Sequence, residues 1–185
     1  MLKPKWLEFS EEINALDDLE KAYSFIQQTT QDRKAWKWVI LCVYSAMYGF
    51  AICALKGTNP DRVIIKTKKG DRLINFAEAI DRCQNPLHMN MTVTSRHLQL
   101  NDEQKYSIKK ISKEFRNNFV HYIPKSWRIE VSGMPAIVRD CLEVIRFLAL
   151  DTGNYIHLTK NQQRRVKSFI HQSVKILNQQ GIIIR

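Results

Sequence analysis

The chain has 185 residues, of which 44% are apolar and 25% charged, with only six glycines and five prolines. This length favours a single domain over 1–185 with its own core, and the composition excludes a disordered or low-complexity protein. The net charge of +11 makes a polyanion the expected partner, with nucleic acid ahead of an anionic membrane.

The four cysteines lie far apart, without the closely spaced pairs that zinc sites use: Cys42, Cys53, Cys83 and Cys141. We interpret them as buried thiols in a reducing compartment, and we expect neither a metal nor a cofactor. The N-terminal segment lacks the apolar core of a secretory signal, so we predict that the protein is cytoplasmic.

Two long helices are predicted first in the chain. Apolar residues at three- and four-residue steps predict an amphipathic helix over 10–31, and a second helix is predicted from Asp32 to Leu55, before Gly57 and Pro60. Within the second helix, 38–55 carries no charge over eighteen residues, which reaches the length of a membrane span. Because the other predicted helices have one apolar face that needs a partner, we interpret this helix as the centre of a soluble bundle. A membrane span is the alternative.

The middle of the chain predicts short elements. A turn-like Lys68–Asp71 between two apolar pairs predicts one short β-hairpin within 63–74. A helix is predicted over 76–83, and 84–100 has no clear period and is predicted to be a connection.

The next predicted helix is capped by Asn101 or Asp102 and delivers Arg116 near its end. Its apolar stripe is predicted to comprise Tyr106, Ile108, Ile111, Phe115 and Phe119. An irregular loop follows, and we interpret its Trp127 as a core side chain rather than a base-stacking platform. Two more helices are predicted around 137–148 and 159–181, so we expect an all-α antiparallel bundle of five to six helices.

The segment 115–122 places an arginine, an asparagine and a histidine between apolar positions. The arginine is Arg116, a residue type that is permanently charged and presents a planar fork to phosphate oxygens. The histidine is His121, and histidine is the side chain whose unperturbed titration falls near neutral pH. Cleavage of a phosphodiester without a metal needs these groups. An arginine followed by four to six residues and then a histidine is not a specific pattern, because other pairs fit it: Arg82 and His88, Arg164 and His171, Arg165 and His171. Arg116 differs from them in the Asn117 that follows it, the aromatic residues on each side and its place near a helix end.

With the flank that continues from His121 to Glu130, this region resembles the HEPN superfamily, and within it a family of uncharacterised, plasmid-borne bacterial HEPN proteins. The resemblance is specific over 111–135. It implies a helical bundle that forms a homodimer through the helix carrying Arg116 and His121. It also implies metal-independent cleavage of RNA, in which the ribose 2′-hydroxyl attacks its own phosphate to leave 2′,3′-cyclic phosphate and 5′-hydroxyl ends.

The resemblance also suggests a role for each residue of the motif. His121 is expected to act as general base or acid, Arg116 to neutralise charge on the phosphoryl oxygens, and Asn117 to orient Arg116 or bond to the phosphate. The predicted RNA-binding side chains are Lys109, Lys113 and Tyr122. On a continuous helix Arg116 and His121 lie about 140° apart, so either the helix breaks before His121 or a second copy supplies the missing groups.

Such an enzyme is expected to act in defence or as the toxin of a toxin–antitoxin pair, under the control of an antitoxin or another regulatory protein. The alternative is a non-catalytic HEPN module that uses the same basic cleft to bind RNA or a partner protein.

Overall fold

The computed structural model describes residues 5–121, 124, 126–154 and 156–182. In chain order its α-helices are α1 (Glu11–Gln28), α2 (Ala35–Lys56), α3 (Phe76–Gln84), α4 (Pro86–Met89), α5 (Asp102–Lys109), α6 (Arg116–Val120), α7 (Met134–Arg146) and α8 (Lys160–Ile182). One π-helical segment, Lys110–Phe115, joins α5 to α6, and another, Phe147–Asp151, extends α7. After a 3₁₀ turn at Pro60–Val63, β1 (Ile64–Ile65) pairs with β2 (Arg72–Leu73) as an antiparallel hairpin. The predicted helical bundle with one short hairpin is confirmed.

Helix α2 lies at the centre of the bundle, where it packs against α1, α3 and α7. Its Val39, Val43 and Phe50 side chains are fully buried. Helix α2 is long and apolar enough to cross a membrane, and 61% of its apolar 18-residue stretch is buried inside the bundle. The predicted second helix therefore has the neighbours that a central helix requires.

Helices α1 and α2 approach each other closely because Gly49 has no side chain. A Cβ atom at Gly49 would lie 2.7 Å from the Cβ of Ala15, far inside van der Waals contact. At the C-terminal end of α2, the Lys56 ammonium lies 2.8 Å from Glu11 and 3.1 Å from the buried Glu12. The two helices are thus held together by the close contact of Gly49 with Ala15 and by ion pairs at the end of α2.

Several helices begin at an N-cap residue whose side chain accepts a hydrogen bond from a backbone amide of the first turn. Asn101 accepts from the Gln104 amide at 2.7 Å and begins α5, as predicted. Helix α2 begins three residues later than predicted, at Ala35, because Asp32 accepts from the Lys34 amide instead of capping a helix.

The cysteines are free thiols in the bundle interior. Cys53, Cys83 and Cys141 are buried and Cys42 is half-buried. Burial raises the pKa of Cys42 to about 11 and that of Cys53 to about 12, so these thiols stay protonated at neutral pH. Within the described residues, no cluster of three His, Cys, Asp or Glu side chains is arranged to hold a metal ion.

Candidate functional site

Helix α5, the π segment and α6 form one continuous rod from Asp102 to Val120, and the π segment decides which residues face the core. Four apolar or small residues of the rod are spaced four apart: Ser107, Ile111, Phe115 and Phe119. In a regular α-helix, twelve residues of this spacing drift by about 120° around the axis. A π turn accommodates one additional residue, which reduces this drift around the axis by about 100°. These side chains therefore stay directed at the bundle, where Ser107 and Ile111 are buried and the two phenylalanines pack against the core.

The same realignment brings four of the six predicted site residues into one row on the opposite face of the rod. The site row comprises Lys109, Lys113, Asn117 and His121, which are also spaced four apart. From the first to the last of them the net rotation is only about 20°. The two lysines and the histidine are exposed, and the asparagine is half-buried. A rod without the π segment would spread the four side chains over a third of the helix circumference.

Arg116 lies between the site row and the core. Its guanidinium carbon is 5.1 Å from the centre of the Tyr44 ring on α2, and its Nη1 donates to Asn117 Oδ1 at 3.1 Å. The Tyr44 ring in turn stacks on Phe76, with centroids 4.5 Å apart. Burial raises the pKa of the Tyr44 hydroxyl, and the nearby Arg116 charge partly offsets this.

The charge of Arg116 is not neutralised by an acid. Among the described residues no carboxylate oxygen lies within 4.0 Å of its guanidinium group. An aromatic face and one amide hold the half-buried side chain in place, which leaves further donors of the guanidinium fork for an anion.

His121 ends α6. Its amide donates to the Asn117 carbonyl at 3.0 Å, and only beyond this point does the backbone leave the helical path, with φ −99° and ψ 67° at His121. The helix does not break ahead of His121, so this way of bringing Arg116 and His121 together on one chain is wrong. The two residues diverge by about 140° around the axis. The exposed imidazole has no hydrogen-bond partner within the described part of the chain.

The lysines of the site row differ from their neighbours in pairing. Lys110, one position away, forms an ion pair with Glu114 at 2.7 Å. Lys109 and Lys113 form no ion pair with any described residue. Their charges are therefore free to attract a polyanion.

Two aromatic predictions near the site are wrong. Tyr106 was expected in the buried stripe but is 55% exposed, with the Lys110 ammonium 5.5 Å from its ring centre. Trp127 was interpreted as a core side chain but is 36% exposed and packs edge-on against Phe119, with centroids 4.9 Å apart. Tyr122, the third predicted RNA-binding residue, lies outside the described residues.

Glu130 stabilises the turn before α7, a role that the sequence did not predict. Its carboxylate accepts from the amides of Ser132 at 2.6 Å and Gly133 at 3.3 Å, which folds the turn before α7. A hydrogen bond with the Ser132 side chain, together with these two amide hydrogen bonds, lowers the pKa of Glu130.

A second feature absent from the sequence predictions is a groove of about 380 Å³ beside α6, named here the aromatic groove. It is lined by Arg33, Lys34, Trp36, Lys37, Trp38, Phe119, Ile129 and Val131. The sequence signal for it is the alternation of basic and tryptophan residues over 33–38, where α2 begins.

No family model, curated protein or solved structure matches this chain.

Proposed function

We propose that the protein is a metal-independent endoribonuclease of the HEPN type, which cleaves RNA in a cleft formed by two copies of the rod. The observation that carries the proposal is an Arg116 without an acidic partner, placed on the same helix as an exposed His121. The unpaired Lys109 and Lys113 continue the site row and support an extended polyanion as the ligand.

In the proposed reaction the ribose 2′-hydroxyl loses its proton to His121 and attacks the adjacent phosphorus. The bond from phosphorus to the 5′-oxygen then breaks, and that oxygen takes a proton from the second histidine of the cleft. Arg116 stabilises the negative charge that builds on the non-bridging oxygens, while Asn117 holds the guanidinium group. The products are a 2′,3′-cyclic phosphate and a 5′-hydroxyl. DNA lacks the 2′-hydroxyl and is not a substrate.

The divergence of Arg116 and His121 supports a two-fold dimer as the active form. One rod cannot aim both side chains at one phosphate, because they lie about 140° apart around its axis. A two-fold axis beside the rod places the same surface of each subunit face to face, so that an arginine of one copy meets a histidine of the other.

The alternative is a non-catalytic module that binds RNA or a partner protein through the site row. One observation favours it: a general base is commonly oriented by a further hydrogen bond, and no described residue provides one for the His121 imidazole. In the catalytic proposal the second subunit or the RNA supplies that bond. A role in defence or as a toxin, with an antitoxin or other regulatory partner, is proposed for either form.

The test is incubation of wild-type protein and two variants with single-stranded and structured RNA in EDTA, followed by analysis of the fragment ends. His121→Ala should lose at least about a hundredfold in cleavage rate, the lower range for a general acid or base. His171→Ala is the matched control, because this exposed histidine on α8 also follows an arginine, Arg165, at a similar spacing.

Cleavage that persists in His121→Ala would contradict the proposed site. No cleavage by the wild type, together with salt-sensitive RNA binding that does not need His121, would favour the binding module.

A further inference from the structure

The aromatic groove lies beside the last turn of α6, on the side of Phe119. Arg116 contacts Tyr44 of α2, and three residues later Phe119 lines the groove with Trp36 and Trp38. On α6 Phe119 follows Arg116, whereas on α2 the groove tryptophans precede Tyr44. The two helices are therefore antiparallel. The His121 end of α6 therefore points to the end of the bundle where α2 begins. Because Phe119 and His121 face opposite sides of the rod, an RNA strand that contacts both passes around this end of α6.

The apolar surface of the groove suits a flat ring. Trp38 is 46% exposed, and its inner side is supported by Phe25, whose ring is nearly parallel at a centroid distance of 6.0 Å. Phe119, Ile129 and Val131 supply the remaining apolar wall. A supported, partly exposed indole beside a second aromatic ring is a surface on which nucleobases stack.

The rim of the groove is basic. Arg33 and Lys34 are exposed, and the Lys37 ammonium lies 4.7 Å from the centre of the Trp38 ring. None of the three cations forms an ion pair with a described residue, and no carboxylate is among the lining residues. A ligand that combines a flat apolar ring with negative charge matches both parts of the groove.

This charge argues against a second copy of the chain as the occupant. A two-fold interface centred on the groove would place three cations of one subunit against the same three of the other. A flat anionic membrane also fits poorly, because the apolar surface lies in a concave groove of about 380 Å³ rather than on a projecting face.

We propose that the aromatic groove binds an unpaired nucleobase of the RNA held at Arg116 and His121, while Arg33, Lys34 and Lys37 contact the flanking phosphates. The inference rests on the proposed function and names its substrate class. A base can enter the groove only from a single-stranded or looped segment, because bases of an RNA duplex remain stacked and paired. The substrate is therefore unpaired RNA.

The first test measures RNA binding in the His121→Ala background, so that binding is read without cleavage. The probe is a short labelled unpaired oligoribonucleotide, compared by fluorescence anisotropy with the same strand in a duplex. Trp38→Ala should weaken binding of the unpaired strand on the order of ten- to a hundredfold, the loss of one stacked base, and Trp38→Phe should retain most of the affinity. Trp6→Ala removes another exposed indole, 84% exposed, and should change nothing.

The second test compares two triple variants that remove the same charge. Changing Arg33, Lys34 and Lys37 to Gln should reduce the dependence of binding on salt by a slope of about 2. Changing the hairpin residues Lys66, Lys68 and Lys69 to Gln removes three exposed charges far from the groove in sequence and should have a much smaller effect.

Several results would overturn the inference: unchanged binding in Trp38→Ala, tighter binding of the duplex, equal effects of the two triple variants, or a Trp38-dependent dimer or vesicle association in place of RNA binding. Its failure is distinguishable from failure of the proposed function. A wild-type protein that cleaves unpaired RNA without needing Trp38 refutes the groove alone, and a protein that binds through Trp38 but never cleaves refutes the nuclease alone.

Discussion

The α1–α2 pair and the rod from Asp102 to Val120 belong to one bundle but differ in how closely their side chains fit. In the pair, Phe50 and Leu19 are fully buried and Gly49 leaves no room for a Cβ atom against Ala15. In the rod's last helix none of the five described residues is fully buried, and the polar side chains there are half-buried or exposed. The difference indicates that the pair supplies stability, while the end of the rod presents polar groups at the surface and contributes less to the core.

The largest expected difference between the two regions is in stability. Phe50→Ala should lower the free energy of unfolding by about 3–5 kcal/mol, because it empties a fully buried site. Phe119→Ala should cost about 1–2 kcal/mol, since the side chain is half-buried and its surroundings can close on the gap. Denaturant unfolding of both variants measures this, and equal losses would remove the distinction between the two regions.

Arg116 should show the opposite behaviour, with a large effect on activity and a small one on stability. Arg116→Lys keeps the charge but loses the planar fork and its stacking on Tyr44, so cleavage should fall by about a hundredfold while the melting temperature barely changes. Arg165→Lys is the matched control, because Arg165 also lies over an aromatic ring, Phe169, at 5.7 Å. If both variants cleave at the wild-type rate, Arg116 is not in the active site.

Gly49→Ala tests how closely α1 and α2 must pack. Alanine favours helix by up to about 1 kcal/mol, but the new Cβ collides with Ala15, so we expect a net destabilisation of about 1–2 kcal/mol. Ala15→Gly in the same chain removes the closest contact and should restore part of the loss. A more stable Gly49→Ala protein would show that the helices separate without cost.

Asp18 gives the smallest predicted effect, with a pH dependence. Burial, and secondarily the charge of Asp17, raises the pKa of Asp18 from 3.8 to about 6. Between those values the folded protein holds a proton that the unfolded chain has released, so the free energy of unfolding falls as the pH rises through this window. Asp18→Asn should therefore gain about 1 kcal/mol at pH 7, after allowance for solvent screening, and nothing below about pH 4.

Unfolding curves at pH 4 and pH 7 measure the effect, with Asp71→Asn as the control at an exposed carboxylate that does not act on Asp18. A gain of equal size at both pH values would show that burial does not perturb the Asp18 carboxyl.

Local chemistry made much of the fold predictable. The apolar pattern of 38–55 predicts the central helix, and Asn101 predicts the start of α5. The turn around Gly70 predicts the hairpin. Asp32 misled because an Asp side chain bonds equally well to a turn amide as to the first turn of a helix.

The geometry of the site was less predictable, because it depends on non-local contacts and on one extra residue in the rod. The aromatic partner of Arg116, Tyr44, lies on a helix far away in the chain, and no local pattern connects the two. The π segment leaves a sequence signal, the exact four-residue repeat from Ser107 to Phe119, but a stripe assigned with the α-helical period places Tyr106 in the core instead.

In the proposed mechanism Arg116 of one copy and His121 of the other act on the same phosphate. This is tested by mixing Arg116→Ala and His121→Ala proteins, each inactive alone, after dissociation and reassociation, and by assaying the isolated heterodimer for RNA cleavage. Each heterodimer has one intact arginine and one intact histidine on different subunits, so cleavage should reappear, at a fraction of the wild-type rate because the second histidine is missing. A verified heterodimer that stays as inactive as either parent would contradict the shared cleft.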